Sequence, residues 1–173
     1  MVIRPALLAD AQELALLGER LWRETYTGLI PASNLERHLR ETFGLSQQTA
    51  ELTNPDCCTL VLEAEGTPLA YSLLRRGAPQ AGSALRFSSA LEIARFYVDP
   101  SLHGRGAAQA LMAAVLAHGA ALGHDGVWLQ VWEKNLRGIH FYGKAGFGDV
   151  GATTFRVGDQ VEQDRLMARS LQP

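Results

Sequence analysis

The spacing of hydrophobic positions changes period several times along the chain, and each change marks an element. Val2 to Arg4 reads as a short strand closed by Pro5. Leu14, Leu17 and Leu21 then recur at helical spacing and predict a helix running to about Tyr26. Asp10 stands where an N-cap is expected, with Glu13 three residues on to complete a capping box. Gly28 and Pro31 break that helix. Asn34 to Phe43 and Ser46 to Leu52 read as two further short helices, the second closed by Pro55. The pattern then turns β-rich. Thr59 to Ala64 and Leu69 to Arg75 form a hairpin through Glu65-Gly66-Thr67-Pro68. Gly77 to Ser89 is small and polar, so a loop. Leu91 to Val98 is a strand stopped by Asp99-Pro100. A helix from about Gly106 to Leu122 follows, its core face Leu111, Val115 and Leu122, with Ala114 and His118 alongside. Gly126 to Trp132 is a strand. Asn135 caps a helix that runs to Ala145 and ends at Gly146. Phe147 to Val157 and Val161 to Leu171 pair about Gly158-Asp159 as a last hairpin.

Strand, crossover helix and strand from Leu91 to Trp132 predict a parallel pair with a right-handed connection. The hairpins around it add antiparallel strands, so a mixed sheet with helices on both faces is the simplest packing. At 173 residues, with no internal repeat, the chain is expected to be a single domain over 1–173.

Composition narrows the function. Hydrophobic residues make up 47% and charged residues 20%, which suits a chain with a real core. The net charge of -2 argues against nucleic-acid binding by bulk charge. Cys57 and Cys58 are adjacent, so they form no disulfide framework, and two ligands make no zinc site. They are expected to be buried small groups at the head of a strand. His38, His118, His124 and His140 show no metal-ligand spacing, read as structural or exposed, and no metal is expected. Arg4 and Asp10 interrupt what would be the apolar part of an export signal. The most apolar window, Ala110 to Gly123, carries His118 and is too short to span a bilayer. The expectation is a cytoplasmic protein with no membrane partner.

His103-Gly104-Arg105-Gly106-Ala107-Ala108 lies between a strand and a helix. Small residues there allow close approach to the main chain, and the helix N-terminus supplies free N–H groups. Arg105 and His103 add side-chain donors. A phosphate or pyrophosphate cradle and a bare tight turn both satisfy this pattern. A Walker loop lacks its Lys-Ser/Thr ending, and the third glycine of a dinucleotide fingerprint is replaced by Gln109.

Together with Asn135, Phe141-Tyr142, Lys144 and Gly146-Phe147, this loop resembles the GNAT N-acetyltransferase superfamily. The family's pyrophosphate loop reads Gln/Arg-x-x-Gly-x-Gly/Ala. Here it is His103-x-x-Gly106-x-Ala108, so the first position departs and the others match. The order of elements matches along the whole chain. Leu91-Glu92-Ile93, Val131 to Asn135, and Gly158-Asp159 followed by Gln163-Asp164 further resemble bacterial spermidine/spermine N-acetyltransferases of the Pai type.

The resemblance implies an α/β (α+β) fold: a central, mixed, mostly antiparallel seven-stranded sheet with a splayed parallel pair, the fourth and fifth strands, and helices on both faces. It implies acetyl-CoA as donor and the primary amine of a small molecule, a polyamine among the candidates, as acceptor, with direct transfer in a ternary complex. Phe96-Tyr97-Val98 would pair with the pantetheine arm, the Val98 N–H polarising the thioester carbonyl. His103, Gly104, Arg105, Gly106, Ala107, Ala108 and Gln109 would hold the pyrophosphate. Asn135 and Lys144 complete the cofactor set, Asn135 bonding pantetheine, capping its helix, or both. Tyr142 is the expected general acid, with a core tyrosine beside Phe141 as the other reading. The family's glutamate base aligns with Ala94. Glu92, two residues upstream on the same face by alternation, reads either as a base acting through a water or as a solvated strand-end charge; Glu133 is a second candidate, and water or main-chain carbonyls could serve without a dedicated base. Glu24, Glu36 and Glu41 read either as scattered surface charges or, in the helical region that would overhang the site, as groups facing a cationic acceptor, whose stem Trp22, Tyr26 and Phe155 could flank. The resemblance leaves room for a homodimer through the terminal strands. Two rivals stay open. In the first, the same fold acetylates a protein N-terminus, an amino acid or an antibiotic. Alternatively, His103 and Ala94 mark a non-catalytic acyl-CoA-binding module, against which Tyr142 and Asn135 weigh.

Overall fold

The structure is a computed structural model describing residues 1–77 and 87–172. Its elements are β1 (Val2–Pro5), α1 (Ala11–Tyr26), α2 (Ala32–Phe43), α3 (Leu45–Thr53), β2 (Cys57–Ala64), β3 (Thr67–Arg76), β4 (Ala90–Val98), α4 (Ala107–Ala121), β5 (Gly126–Trp132), α5 (Leu136–Lys144), β6 (Gly148–Val157) and β7 (Gln160–Ser170). Each expected element is present within one to three residues of its expected ends. Most of the loop expected over Gly77 to Ser89 lies outside the described residues.

The seven strands form one sheet in the order β1-β2-β3-β4-β5-β7-β6. Every neighbouring pair is antiparallel except β4–β5. Helices α4 and α5 pack on one face, where Leu111, Met112 and Val115 meet Leu91, Ile93, Val127 and Leu129. Helices α1 to α3 cover the other, with Leu14, Leu17 and Leu21 against Val61 and Tyr71. There Ile30, Leu35 and Leu39 also meet Val157 of β6, so α2 reaches across toward the last hairpin.

Two sequence expectations fail locally. Asp10 does not cap α1. Its carboxylate accepts the Leu7 N–H at 2.6 Å, closing the 3-10 turn Leu8–Asp10, and takes both prongs of Arg4 at 2.7 and 3.0 Å. The charge-assisted bonds to arginine outbid a cap to neutral N–H groups. Leu122 is not on the core face of α4 but 51% exposed, because the helix ends at Ala121 and the chain turns out through Gly123. Met112 and Gly119 complete the face instead. A Cβ at Gly119 would lie 2.9 Å from Leu171, so glycine there allows the helix its close approach to the sheet.

The β4–β5 pair opens part-way along. Register runs from Ala90↔Gly126 to Ile93↔Leu129 and stops, although β4 continues to Val98 and β5 to Trp132. On its other edge β4 stays paired with β3, but register slips between Leu73↔Arg95 and Leu74↔Ile93, leaving Ala94 as a bulge. The bulge shifts the alternation. Leu91, Ile93, Phe96 and Val98 face α4, whereas Tyr97 packs on the α1–α3 side. Simple alternation from Glu92 through Ala94 therefore does not hold along the strand.

Candidate active site

A cavity of about 530 Å³ occupies the opening between β4 and β5. Glu92 to Tyr97 of β4 and Gln130 to Trp132 of β5 form its sides, and Phe155, Glu162 and Asp164 of the last hairpin close one end. Trp22, Tyr26 and His38 come down from α1 and α2, while Asn135 and Tyr142 come from α5. The aromatic groups make a continuous band: Trp22 lies 4.1 Å from Tyr26 and 4.2 Å from His38, and Tyr26 lies 5.7 Å from Trp132. Trp22, Tyr26 and Phe155, expected to flank an acceptor stem, all line this one cavity.

The expected catalytic residues both reach the cavity. Tyr142 is packed edge-on against Phe96, Phe141 and Phe147, and burial pushes its phenol well above the usual range. Its proton stays in place through neutral pH. Glu92 stands across the strand pair from Arg75. Burial raises its carboxyl, opposed by that arginine's charge. Glu133 is exposed and does not line the cavity. Asn135 Oδ1 accepts the Gly138 N–H at 2.9 Å, so the capping role is real, and the residue also lines the cavity.

The expected cofactor residues divide between the cavity and its outer flank. Phe96 and Tyr97 line the cavity, while Val98 and the loop from His103 to Gln109 lie outside it, the loop leading into α4 on the opposite face. Gly104 (φ +74°) and Gly106 (φ +77°) adopt left-handed backbone with open space where a Cβ would be. Gly106 offers no side-chain cap, and the first N–H to close the helix is that of Ala110, on Gly106 O at 2.9 Å. The N–H groups of Ala107, Ala108 and Gln109 precede it in the uncapped first turn. His103, Arg105 and Gln109 are exposed around them. Ala107 is different: its methyl is buried in the core, so only its main chain can face a ligand. Lys144 is exposed in the last turn of α5. This uncapped, glycine-lined turn beside an opened sheet edge fits a diphosphate with an extended arm.

The acidic groups expected to face the acceptor are elsewhere. Glu24 pairs with Arg20 and Glu36 with Arg23, while Glu41 is exposed, and none lines the cavity. Their helical periods turn them to solvent. The acids that do line it are Glu92, Glu162 and Asp164. Asp164 was legible as an acid at an inward position of the alternation Asp164, Leu166, Ala168. His38, expected to be structural or exposed, also lines the cavity. Burial, helped by the charge of Arg95, lowers its pKa, so it is held neutral. Cys57 and Cys58 are free and only half-buried at the open start of β2.

The family model described as the Acetyltransferase (GNAT) family matches residues 19–147. The chain belongs to the GNAT acetyltransferase family. This acetyltransferase is 32% identical over 164 residues to an uncharacterized N-acetyltransferase of Mycobacterium tuberculosis, covering 95% of this chain and 99% of that one. A second relative, an uncharacterized N-acetyltransferase of Lactobacillus delbrueckii subsp. lactis, is 23% identical over 94% of this chain and 92% of its own. Among solved structures, the PaiA N-acetyltransferase from Thermoplasma acidophilum in complex with coenzyme A superimposes with a TM-score of 0.78 at 21% identity, covering 98% of both chains. Arabidopsis thaliana NAA60 in complex with a bisubstrate analogue gives 0.75 at 14% identity over 98% of this chain and 97% of its own. At those identities the likeness is one of fold. The family makes the protein an acyltransferase. Among the described residues no helix is long and apolar enough to cross a membrane.

Proposed function

We propose that this acetyltransferase moves the acetyl group of acetyl-CoA directly to the primary amine of a small molecule, with a polyamine as the leading acceptor, in a ternary complex. The parting of β4 from β5 beyond Ile93↔Leu129 carries the reading. It frees main-chain groups of Ala94 to Val98 between a helix N-terminus on one face and an acid- and aromatic-lined cavity on the other. Two substrates entering from opposite faces meet there without a covalent enzyme intermediate.

Acetyl-CoA would supply the activated acetyl group as a thioester. The loop from His103 to Gln109 holds the diphosphate through its N–H groups, with Arg105 and Lys144 adding charge. The freed edge Phe96-Tyr97-Val98 pairs with the pantetheine arm as an added strand, and the Val98 N–H polarises the carbonyl. Glu92 takes a proton from the acceptor's ammonium through a water. The amine nitrogen then bonds the carbonyl carbon as the C–S bond breaks. Tyr142 Oη–H protonates the departing sulfur, and the extra proton left on the new amide nitrogen passes through solvent to restore the phenol.

The test is thiol release from acetyl-CoA with spermidine, spermine, amino acids, aminoglycosides and short peptides, alongside a calorimetric titration of acetyl-CoA. Release with polyamines is expected. Release with another class keeps the chemistry and discards the polyamine. Tight donor binding without release from any amine points to the binding module, and no donor binding overturns the reading.

A further inference from the structure

Asp164 is paired in register with Trp132 across β5 and β7, is 7% exposed, and lines the cavity. Among the described residues it has no hydrogen-bond or ion-pair partner, unlike its neighbour Glu162. Glu162 accepts from Trp132 Nε1 at 3.0 Å and pairs with Lys134 at 3.4 Å. Three arginines line the cavity: Arg95 and Arg75 both bond Glu51, and Arg156 is an exposed residue of β6 whose register partner is Val161 rather than Asp164. A buried carboxylate left without a cation is costly, and proteins keep such groups where a ligand completes them. The surroundings favour a positive ligand. Tyr26 and Trp132 stand 5.7 Å apart beside the carboxylate, and aromatic rings attract an ammonium group as well as its alkyl stem. Asp164 is also close enough to Tyr26 to help push its phenol up to about 12, and Tyr26 in turn acts on Tyr142. The acid and the expected proton donor Tyr142 line the same cavity.

We propose that Asp164, with the rings of Tyr26 and Trp132, is the ammonium subsite of the acceptor, binding the protonated nitrogen of an alkylamine or alkyldiamine. The proposal rests on the reading that this cavity is the acceptor side of the acetyltransferase. The missing positive charge is the acceptor's own. An acceptor carrying a carboxylate beside its amine would meet Asp164, Glu162 and Glu92 with like charge.

The titratable groups that act on Asp164 are Glu162 on its own strand, Glu133 just beyond β5, and Tyr26 from α1. The two glutamates, together with burial, raise its pKa to about 6. Ammonium binding should therefore fall about tenfold between pH 7.5 and pH 5, as the carboxylate protonates.

The test titrates the full chain with n-butylammonium chloride, read by tryptophan fluorescence from Trp132 and Trp22, with 1-pentanol as the neutral probe of similar size. Asp164→Asn should weaken n-butylammonium at least tenfold, leave 1-pentanol unchanged, and abolish the pH dependence. Equal n-butylammonium affinity in the variant, or no binding to the wild type, overturns the subsite. The wild-type pH dependence decides the matter if Asp164→Asn misfolds: a flat profile overturns it. A parallel acetyl-CoA titration separates the two ideas. Normal acetyl-CoA affinity with a failed ammonium test discards Asp164 alone, whereas absent acetyl-CoA binding discards the functional reading and leaves an ammonium site standing on its own titration.

Discussion

Arg95 of β4 and Glu51 of α3 form a buried two-pronged ion pair, Nη1 to Oε2 at 2.5 Å and Nη2 to Oε1 at 3.0 Å. Side-chain exposure is 5% and 7%. Arg95 Nη2 also donates to the Thr42 carbonyl at 3.0 Å, and its guanidinium lies 5.0 Å over the Phe43 ring. Gln47 and Arg75 hold the Glu51 carboxylate from its other sides. The residue just after the β4 bulge thus anchors the junction of α2 and α3 to the strand that lines the cavity.

Breaking this pair should be far worse than removing it. Arg95→Met leaves Glu51 with Gln47 and the partly exposed Arg75, and Glu51→Gln leaves Arg95 buried without its counter-charge. Each should cost about 3–5 kcal/mol. The double variant Arg95→Met/Glu51→Met should recover most of that loss. Urea unfolding of the three variants checks it. Equal losses in the single and double variants would show that the pair is a net stabiliser.

Tyr142→Phe removes one hydroxyl and keeps the ring against Phe96, Phe141 and Phe147. Turnover should fall by about 10²-fold or more, the range for loss of a positioned acid, with acetyl-CoA affinity and melting temperature unchanged. Steady-state kinetics with any accepted amine reads it. Full activity in the variant would return Tyr142 to the core.

Two glycines should separate binding from stability. Gly106 has φ +77° and open space around it, so Gly106→Ala adds strain of about 1–2 kcal/mol and no clash. The strain is relieved by moving the loop that begins α4, so acetyl-CoA affinity should drop with little change in melting. Gly18 of α1 is the opposite case: a Cβ there would run into Tyr71 Oη and the Phe43 ring. Gly18→Ala should destabilise by about 1–3 kcal/mol while acetyl-CoA affinity is kept. Calorimetric titration and thermal melts on both variants distinguish the effects.

What could be read in the sequence was local. The caps, breakers and periods that placed α4, β5 and α5 act within a few residues, and Asn135 capping its helix is one of them. The Ala94 bulge was hidden because it depends on how β3 pairs with β4, not on the β4 sequence. The Arg95–Glu51 pair joins residues 44 apart in the chain, and no periodicity links them. Asp10 was misjudged because Arg4, a neighbour across the turn, competes with the helix N-terminus for its carboxylate. Glu24 and Glu36 have the right chemistry for an acceptor site but on helix faces that the fold points outward. The sequence puts Asp164 in the right strand, but only the third dimension shows that it has no hydrogen-bond or ion-pair partner among the described residues.

That missing partner gives a stability prediction independent of any acceptor. Folding raises the Asp164 carboxyl from 3.8 to about 6, burial being the main cause, with repulsion from Glu162 and Glu133 added. The unfolded chain therefore releases this proton more readily than the folded one, and ionisation favours unfolding. The penalty is absent below the unfolded value, grows between pH 4 and 6, and is fully present above 6, at about 1–3 kcal/mol once solvent screening in the cavity is allowed for. Asp164→Asn cannot ionise. It should be more stable than the wild type by about 1–3 kcal/mol at pH 7.5, with the gain fading as pH falls toward 4. Urea unfolding at pH 7.5 and pH 4.5 reads this directly. A gain of the same size at both pH values would mean that side-chain shape, not charge, separates the two proteins. A loss at pH 7.5 would mean that Asp164 is stabilised by a bond its surroundings do not provide. The expected gain is what a fold forgoes when it keeps an ionised acid without a cationic side chain bonded to it, and bound ammonium should erase it by stabilising the wild type alone.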